Sequence, residues 1–121
     1  MKILVCDDSK AMRMIVIRSL RQAGFGEAEI LEAEHGAAGL AATAEHSPDL
    51  VLSDWNMPEM TGIEFLHALR ERGDQVRFGF ITSETTPEMR ERAIAGGAAF
   101  LLAKPFTPED VQDAISAVLA P

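Results

Sequence analysis

The sequence predicts an α/β domain: a five-stranded parallel sheet with five helices distributed on both of its faces. Three observations predict it. Short apolar runs alternate with longer segments of helical spacing, five times along the chain. The runs are apolar throughout instead of alternating, as strands covered on both sides are. Start and stop signals separate the segments, with Ser or Thr opening helices and glycine closing them.

In order, Lys2–Cys6 is the first strand, ended by Asp7-Asp8. The first helix spans Ser9 to Ala23, with Asp8 or Ser9 as its cap. Met12, Ile15, Val16, Leu20 and Ala23 form its buried stripe, and Gly24-Phe25-Gly26 closes it. Glu29–Ala33 is a weaker second strand, followed by an alanine-rich helix over residues 36–45. Pro48-Asp49 introduces the strand Leu50–Ser53, which ends at Asp54. Thr61-Gly62-Ile63-Glu64 reads as a capping box for a helix reaching about Arg72. Phe78–Ile81 is the fourth strand, ended by Thr82, and Thr86-Pro87 opens the fourth helix. Gly96-Gly97 ends it. Ala99–Ala103 is the fifth strand, ended by Lys104, and Thr107-Pro108 starts a helix burying Val111, Ala114, Ile115, Val118 and Leu119.

A length of 121 residues fits one domain, 1–121, and lets roughly two thirds of the extended-chain surface be buried without disulfides or structural zinc. Start at Met1 and stop after the fifth helix are read as a complete single-domain protein. Hydrophobic residues at 47% and charged residues at 25% exclude disordered and collagen-like chains. A net charge of −8, from 11 basic and 19 acidic residues, excludes affinity for a phosphate backbone, so no nucleic acid is expected as a partner. No apolar run approaches the ~20 residues of a membrane span. One cysteine, Cys6, forms no internal bridge, and the expectation is a cytoplasmic monomer.

In parallel α/β sheets, sites lie beyond the carboxyl ends of the strands. That rule selects Asp7, Asp8, Asp54, Thr82 and Lys104. Three carboxylates at one edge repel by about 4 kcal/mol per pair at 4 Å and an effective dielectric near 20. Either one takes a proton or a cation neutralises them. Oxygen donors with no His or Cys beside them suit Mg²⁺, with Mn²⁺ as an alternative ion. Lys104 and the Thr82 hydroxyl complete a cradle for a transferring phosphoryl group, and an ionised Asp54 is its nucleophile. Asp7-Asp8 alone is ordinary helix-capping sequence. Asp54 and Lys104, at the ends of buried strands, are not.

Asp7-Asp8, the run Asp54-Trp55-Asn56-Met57-Pro58-Glu59-Met60-Thr61-Gly62, then Thr82-Ser83-Glu84 and Lys104-Pro105-Phe106 together resemble a response-regulator receiver domain of the single-domain chemotaxis type. The resemblance covers essentially the whole chain. It implies a flavodoxin-like sheet in the order 2-1-3-4-5. It also implies that Asp54 accepts phosphate from a histidine kinase or a histidine phosphotransfer domain. Asp8, Asp54 and the carbonyl of Asn56 would ligate the metal, and Asp7 would act through water. Thr82 and Lys104 would contact the phosphoryl group, Asn56 and Glu84 would tune dephosphorylation, and the bond before Pro105 would be cis. The chain would catalyse only its own phosphorylation and dephosphorylation and is otherwise not an enzyme. Its output would be altered binding to a flagellar switch or another downstream protein.

Two departures qualify that output. The position three residues before Lys104, usually Tyr or Phe, is Leu101; either the aromatic switch is absent or a bulge brings Phe100 into its place. Glu84-Thr85-Thr86-Pro87 lacks the lysines that motor-binding relatives present. The alternative is therefore a phosphorelay shuttle or phosphate sink with little conformational output. An aspartyl phosphatase is disfavoured because Asn56 stands where such enzymes place a second Asp, and a flavin binder because the acidic cluster would repel its phosphate. Met14 and Ile17, opposite the predicted stripe, are candidate kinase-docking residues. His35, His46 and His67 match no metal spacing and read as solvated, and the methionines as mostly core filler.

Overall fold

A computed structural model describes residues 1–119. Its elements are β1 (Lys2–Cys6), α1 (Lys10–Leu20), β2 (Glu29–Ala33), α2 (Gly36–His46), β3 (Leu50–Ser53), α3 (Gly62–Glu71), β4 (Arg77–Thr82), α4 (Pro87–Ala95), β5 (Phe100–Ala103) and α5 (Pro108–Leu119). The strands form one parallel sheet in the order β2-β1-β3-β4-β5.

Successive residues of a strand face opposite sides, so each central strand feeds two cores. Leu4, Cys6, Val51, Phe78 and Phe80 meet α2, α3 and α4, where Phe65, Leu66 and Leu69 complete the packing. Ile3, Val5, Leu50, Leu52 and Ile81 meet α1 and α5 through Val16, Leu20, Val111 and Ile115. Phe65 and Phe80 flank Phe78 at centroid distances of 5.4 and 5.0 Å, both edge-on. Burying each ring stabilises the fold by about 2–3 kcal/mol. Apolar-throughout strands hold for β1, β3 and β4. The edge strand β2 exposes Glu29 and Glu32, because one side of it has no neighbour.

Local capping is as expected, with one addition. Ser9 caps α1, Thr86 caps α4, and Thr61 with Glu64 forms the full reciprocal box on α3. Thr107 and Asp110 make the same reciprocal pair at α5, at 2.9 and 3.1 Å. His35, read from sequence as solvated, instead caps α2, its Nδ1 accepting the Ala38 N–H at 3.1 Å. Beyond Leu20, α1 continues as a wide π-type turn over Arg21–Phe25, ended by Gly24 at φ 102°.

The α1 stripe needs correction. Met12, Val16, Leu20 and Ala23 do face the core, but Ile15 is 46% exposed. Ile15 falls at the margin of the buried strip, where it lines an open groove with Lys104, Pro105 and Phe106. Ile17, expected on the open face, is half-buried against that core. Of the methionines only Met57 is buried, while Met1 and Met14 are exposed.

Strand β5 pairs with β4 in unbroken register, Gly79 to Phe100 and Phe80 to Leu101. There is no bulge among these residues. Phe100 lies on the α1–α5 side, its ring covering Gly79, while Leu101 is buried on the α4 side. A β-carbon at Gly79 would collide with the Phe100 ring.

Two stability outcomes follow from these contacts. Gly79→Ala should lower the unfolding free energy by about 2 kcal/mol through overpacking, measured by urea denaturation. Thr61→Ala should cost about 1 kcal/mol at neutral pH. The Thr61 hydrogen bonds hold the Glu64 carboxyl below the usual glutamate range, so their contribution is present above that range and fades as pH falls through the lowered value. Thr61→Ala keeps the backbone N–H bond and loses the hydroxyl bond, so its gap from the parent chain should narrow in acid by the hydroxyl's share alone.

Candidate functional site

Parallel pairing aligns the carboxyl ends of the strands, and the ladder runs one residue past them. The Asp7 N–H donates to Ala33 O at 3.1 Å, Asp54 N–H to Cys6 O at 3.0 Å, and Lys104 N–H to Thr82 O at 2.8 Å. Each polar residue is thus clamped by backbone at the first position beyond its strand.

The structure brings Asp7, Asp8, Asp54 and Lys104 together. Carboxylate oxygens of the three aspartates lie within 4.8 Å of one another. Lys104 Nζ is 3.3 Å from Asp54 Oδ2 and 3.4 Å from Asp7 Oδ2, with all three side chains largely buried. Burial pushes the Asp7 carboxyl above the usual range and the Asp54 charge adds to this, against the Ser9 N–H and Lys104, which favour ionisation. Three carboxylates face one ammonium, leaving two negative charges (3 − 1) for something else to balance. A hard divalent cation fits that donor set: oxygen ligands only, one of them on an exposed residue, Asp8, open to solvent.

The oxygens are individually held. Asp7 Oδ1 accepts the Ser9 N–H at 2.9 Å, and Asp54 Oδ1 accepts the Trp55 N–H at 2.7 Å. Asp54 Oδ2 faces Lys104. Thr82 is fully buried at the end of β4, its hydroxyl accepting the Glu84 N–H at 3.4 Å. Glu84 and Asn56 are exposed on the loops that flank the cluster. The Lys104-Pro105 bond is cis, as expected. Cys6, a small core residue below the acids, has its thiol pushed up to about 12, chiefly by burial.

Sequence reasoning missed Arg13. Its Nη1 donates to Asp7 O at 2.7 Å and its Nε to Glu32 at 2.9 Å, pinning the loop that carries Asp7 and Asp8 to β2. Nothing in the spacing marks it, because Glu32 lies 19 residues away. Gly62 belongs both to the capping box and to the Asp54–Gly62 run that carries the family resemblance, and the structure adds why a glycine stands there. Its α-carbon sits against the Asp54 carbonyl, where any β-carbon would collide, and its N–H donates to Trp55 O at 2.7 Å. Between them Glu59 takes a left-handed φ of 66°, a conformation that costs a non-glycine residue energy.

Comparison with known proteins agrees with this geometry. The family described as "Response regulator receiver domain" matches residues 3–116. A Rhizobium etli protein named "Probable chemotaxis protein CheY" is 39% identical over 119 residues, covering 97% of this chain and 91% of the relative. "Chemotaxis protein CheY" of Bacillus subtilis is 37% identical, covering 98% and 97%. The solved structure of Vibrio cholerae chemotaxis protein CheY4 superposes with a TM-score of 0.86 at 37% identity, covering 98% of both chains. A family match across nearly the whole chain, on a sheet whose edge gathers the acids and the lysine, means that this chain belongs to the response regulator receiver domains.

Proposed function

We propose that this receiver domain takes a phosphoryl group onto Asp54 from a histidine kinase or histidine phosphotransfer domain and changes its partner binding in response. One observation carries the reading: the Lys104 ammonium sits between Asp54 Oδ2 and Asp7 Oδ2 within a three-carboxylate cluster. Asp54 Oδ2, the oxygen facing Lys104, attacks phosphorus, an O–P bond forms, the P–N bond to the donor imidazole breaks, and water later cleaves the new acyl phosphate. Lys104 and Thr82 hold the developing charge on the phosphoryl oxygens. Asp8, Asp54 and the Asn56 carbonyl would hold Mg²⁺, with Asp7 acting through water; the ion supplies charge neutralisation and an anchor for a phosphoryl oxygen. Asn56 and Glu84, exposed beside the cluster, would set the rate of hydrolysis. The domain acts catalytically on itself alone.

A chemotaxis-type output at a flagellar switch or a similar target in the cytoplasm is the favoured role, supported by the identity to the relatives named above. The phosphate-sink reading draws on Leu101, an aliphatic side chain buried where a mobile ring would be needed. For the donor, an apolar groove of about 410 Å³ lies beside the acids, lined by Met12, Ile15, Ser83, Lys104, Pro105 and Phe106. Ile17 is half-buried while Met14 is exposed, so the docking face for the kinase falls at that groove with Ile15, beside Met14.

Trp55 is the only tryptophan, no tyrosine is present, and it adjoins Asp54. Its fluorescence should change saturably with Mg²⁺ and again with acetyl phosphate. Asp54→Asn should abolish the second change while retaining the fold; phosphorylation persisting in that variant would remove Asp54 as the nucleophile. Ile15→Glu should slow phosphotransfer from the kinase at least tenfold, about 1.4 kcal/mol, and leave acetyl phosphate labelling intact. Equal slowing with both donors would dissociate the groove from docking.

A further inference from the structure

We infer that Arg92 of α4 and Trp55 of the loop after β3 form a latch that ties α4 to the charge state of Asp54. The inference rests on the phosphorylation of Asp54 proposed above.

Helix α4 is lightly held. Ala93 is its one buried residue, whereas α2 buries three and α3 five. Met89 packs half-buried against the core and Ile94 is 64% exposed. Residues 83–86, which lead into the helix, are exposed. Elements with so little buried apolar contact open at low free energy. Arg92 adds a separate tie. Its guanidinium carbon stands 5.5 Å from the Trp55 ring centroid, inside the range of about 6 Å over which a cation is drawn to an aromatic face. The ring is 6% exposed and rests on Phe80 at 4.9 Å, so it gives Arg92 a fixed, largely dry platform.

That platform is coupled to Asp54 through the backbone. The Trp55 N–H donates to Asp54 Oδ1 at 2.7 Å, the short distance of a charge-assisted bond. Oδ2 is the oxygen facing Lys104. When a lone pair on Oδ2 forms the O–P bond and the donor's bond to phosphorus breaks, the carboxylate charge leaves Oδ1, which becomes a neutral acyl oxygen. Its bond to the Trp55 N–H loses roughly half its strength. The ring loosens under Arg92, and α4 is released. The unphosphorylated chain is latched and the phosphorylated chain unlatched, without any aromatic side chain at Leu101.

Hydrogen exchange of the α4 amides, Met89 to Gly97, tests this in the intact chain, Arg92→Gln and Arg92→Lys. Each is measured with Mg²⁺ alone and with Mg²⁺ plus acetyl phosphate. Phosphoryl uptake is followed in parallel by phosphate-affinity electrophoresis, and β1 and β3 amides report the fold. In the parent chain, phosphorylation should speed α4 exchange about fivefold. In Arg92→Gln, exchange should be that fast with Mg²⁺ alone and rise little further, while uptake is unchanged. Arg92→Lys should fall between them, since an ammonium retains part of the attraction. Equal α4 exchange in the parent chain and Arg92→Gln before phosphorylation overturns the latch, as does α4 exchange in the phosphorylated parent chain that does not rise. Absence of phosphoryl uptake in the parent chain overturns the functional reading itself, and the latch with it.

Discussion

Three aspartates and one lysine share the carboxyl edge of the sheet, and the mismatch in their charge is the constraint around which the molecule is arranged. Left to themselves, like charges within 4.8 Å would spread apart or take up protons. Asp7 and Asp54 cannot spread apart, because both are fixed by backbone. Ladder bonds clamp Asp7 and Asp54 at the ends of β1 and β3, and the N–H groups of Ser9 and Trp55 point at single carboxylate oxygens. Arg13 ties down the carbonyl behind Asp7. The cluster is an anionic hole of set shape, and its residual charge is a reason for it to draw in a cation and a group that the cation can carry.

Rigidity on that scale comes from the central strands. β1, β3 and β4 are buried on both faces, and the Phe65–Phe78–Phe80 stack locks the middle of the sheet against α3. The periphery is looser. β2 exposes its glutamates, β5 is half-covered, and α4 sits on the sheet through few buried atoms. A stiff centre holding charged groups and a soft rim able to move are complementary properties: chemistry needs the first and a change of binding surface needs the second.

The two faces also divide the aromatic side chains. Phe80 and Trp55 lie on the α4 side and Phe100 on the α1–α5 side, filling the space above Gly79. Phe100 is therefore committed to packing. The aromatic contact next to Asp54 and α4 is Trp55, which joins both through one residue's backbone and ring.

The sequence by itself determined what is local or follows from fold class. Caps at Ser9, Thr61, Thr86 and Thr107 are short-range hydrogen bonds within four residues, so their spacing spells them out. The parallel sheet follows from apolar strands, and from it the edge position of Asp7, Asp8, Asp54, Thr82 and Lys104. Only tertiary structure decided the rest, because those features join residues far apart in the chain. Ile15 is exposed because it falls at the margin of the strip that α1 buries, beside an open groove with Pro105 and Phe106. Phe100 faces away from α4 because β4 and β5 pair without a bulge. Arg13 meets Glu32, and Arg92 reaches Trp55, across distances along the chain that no periodicity encodes. Local chemistry wrote the elements and their ends, while the register of strands and the crossing of helices chose which side chains would meet.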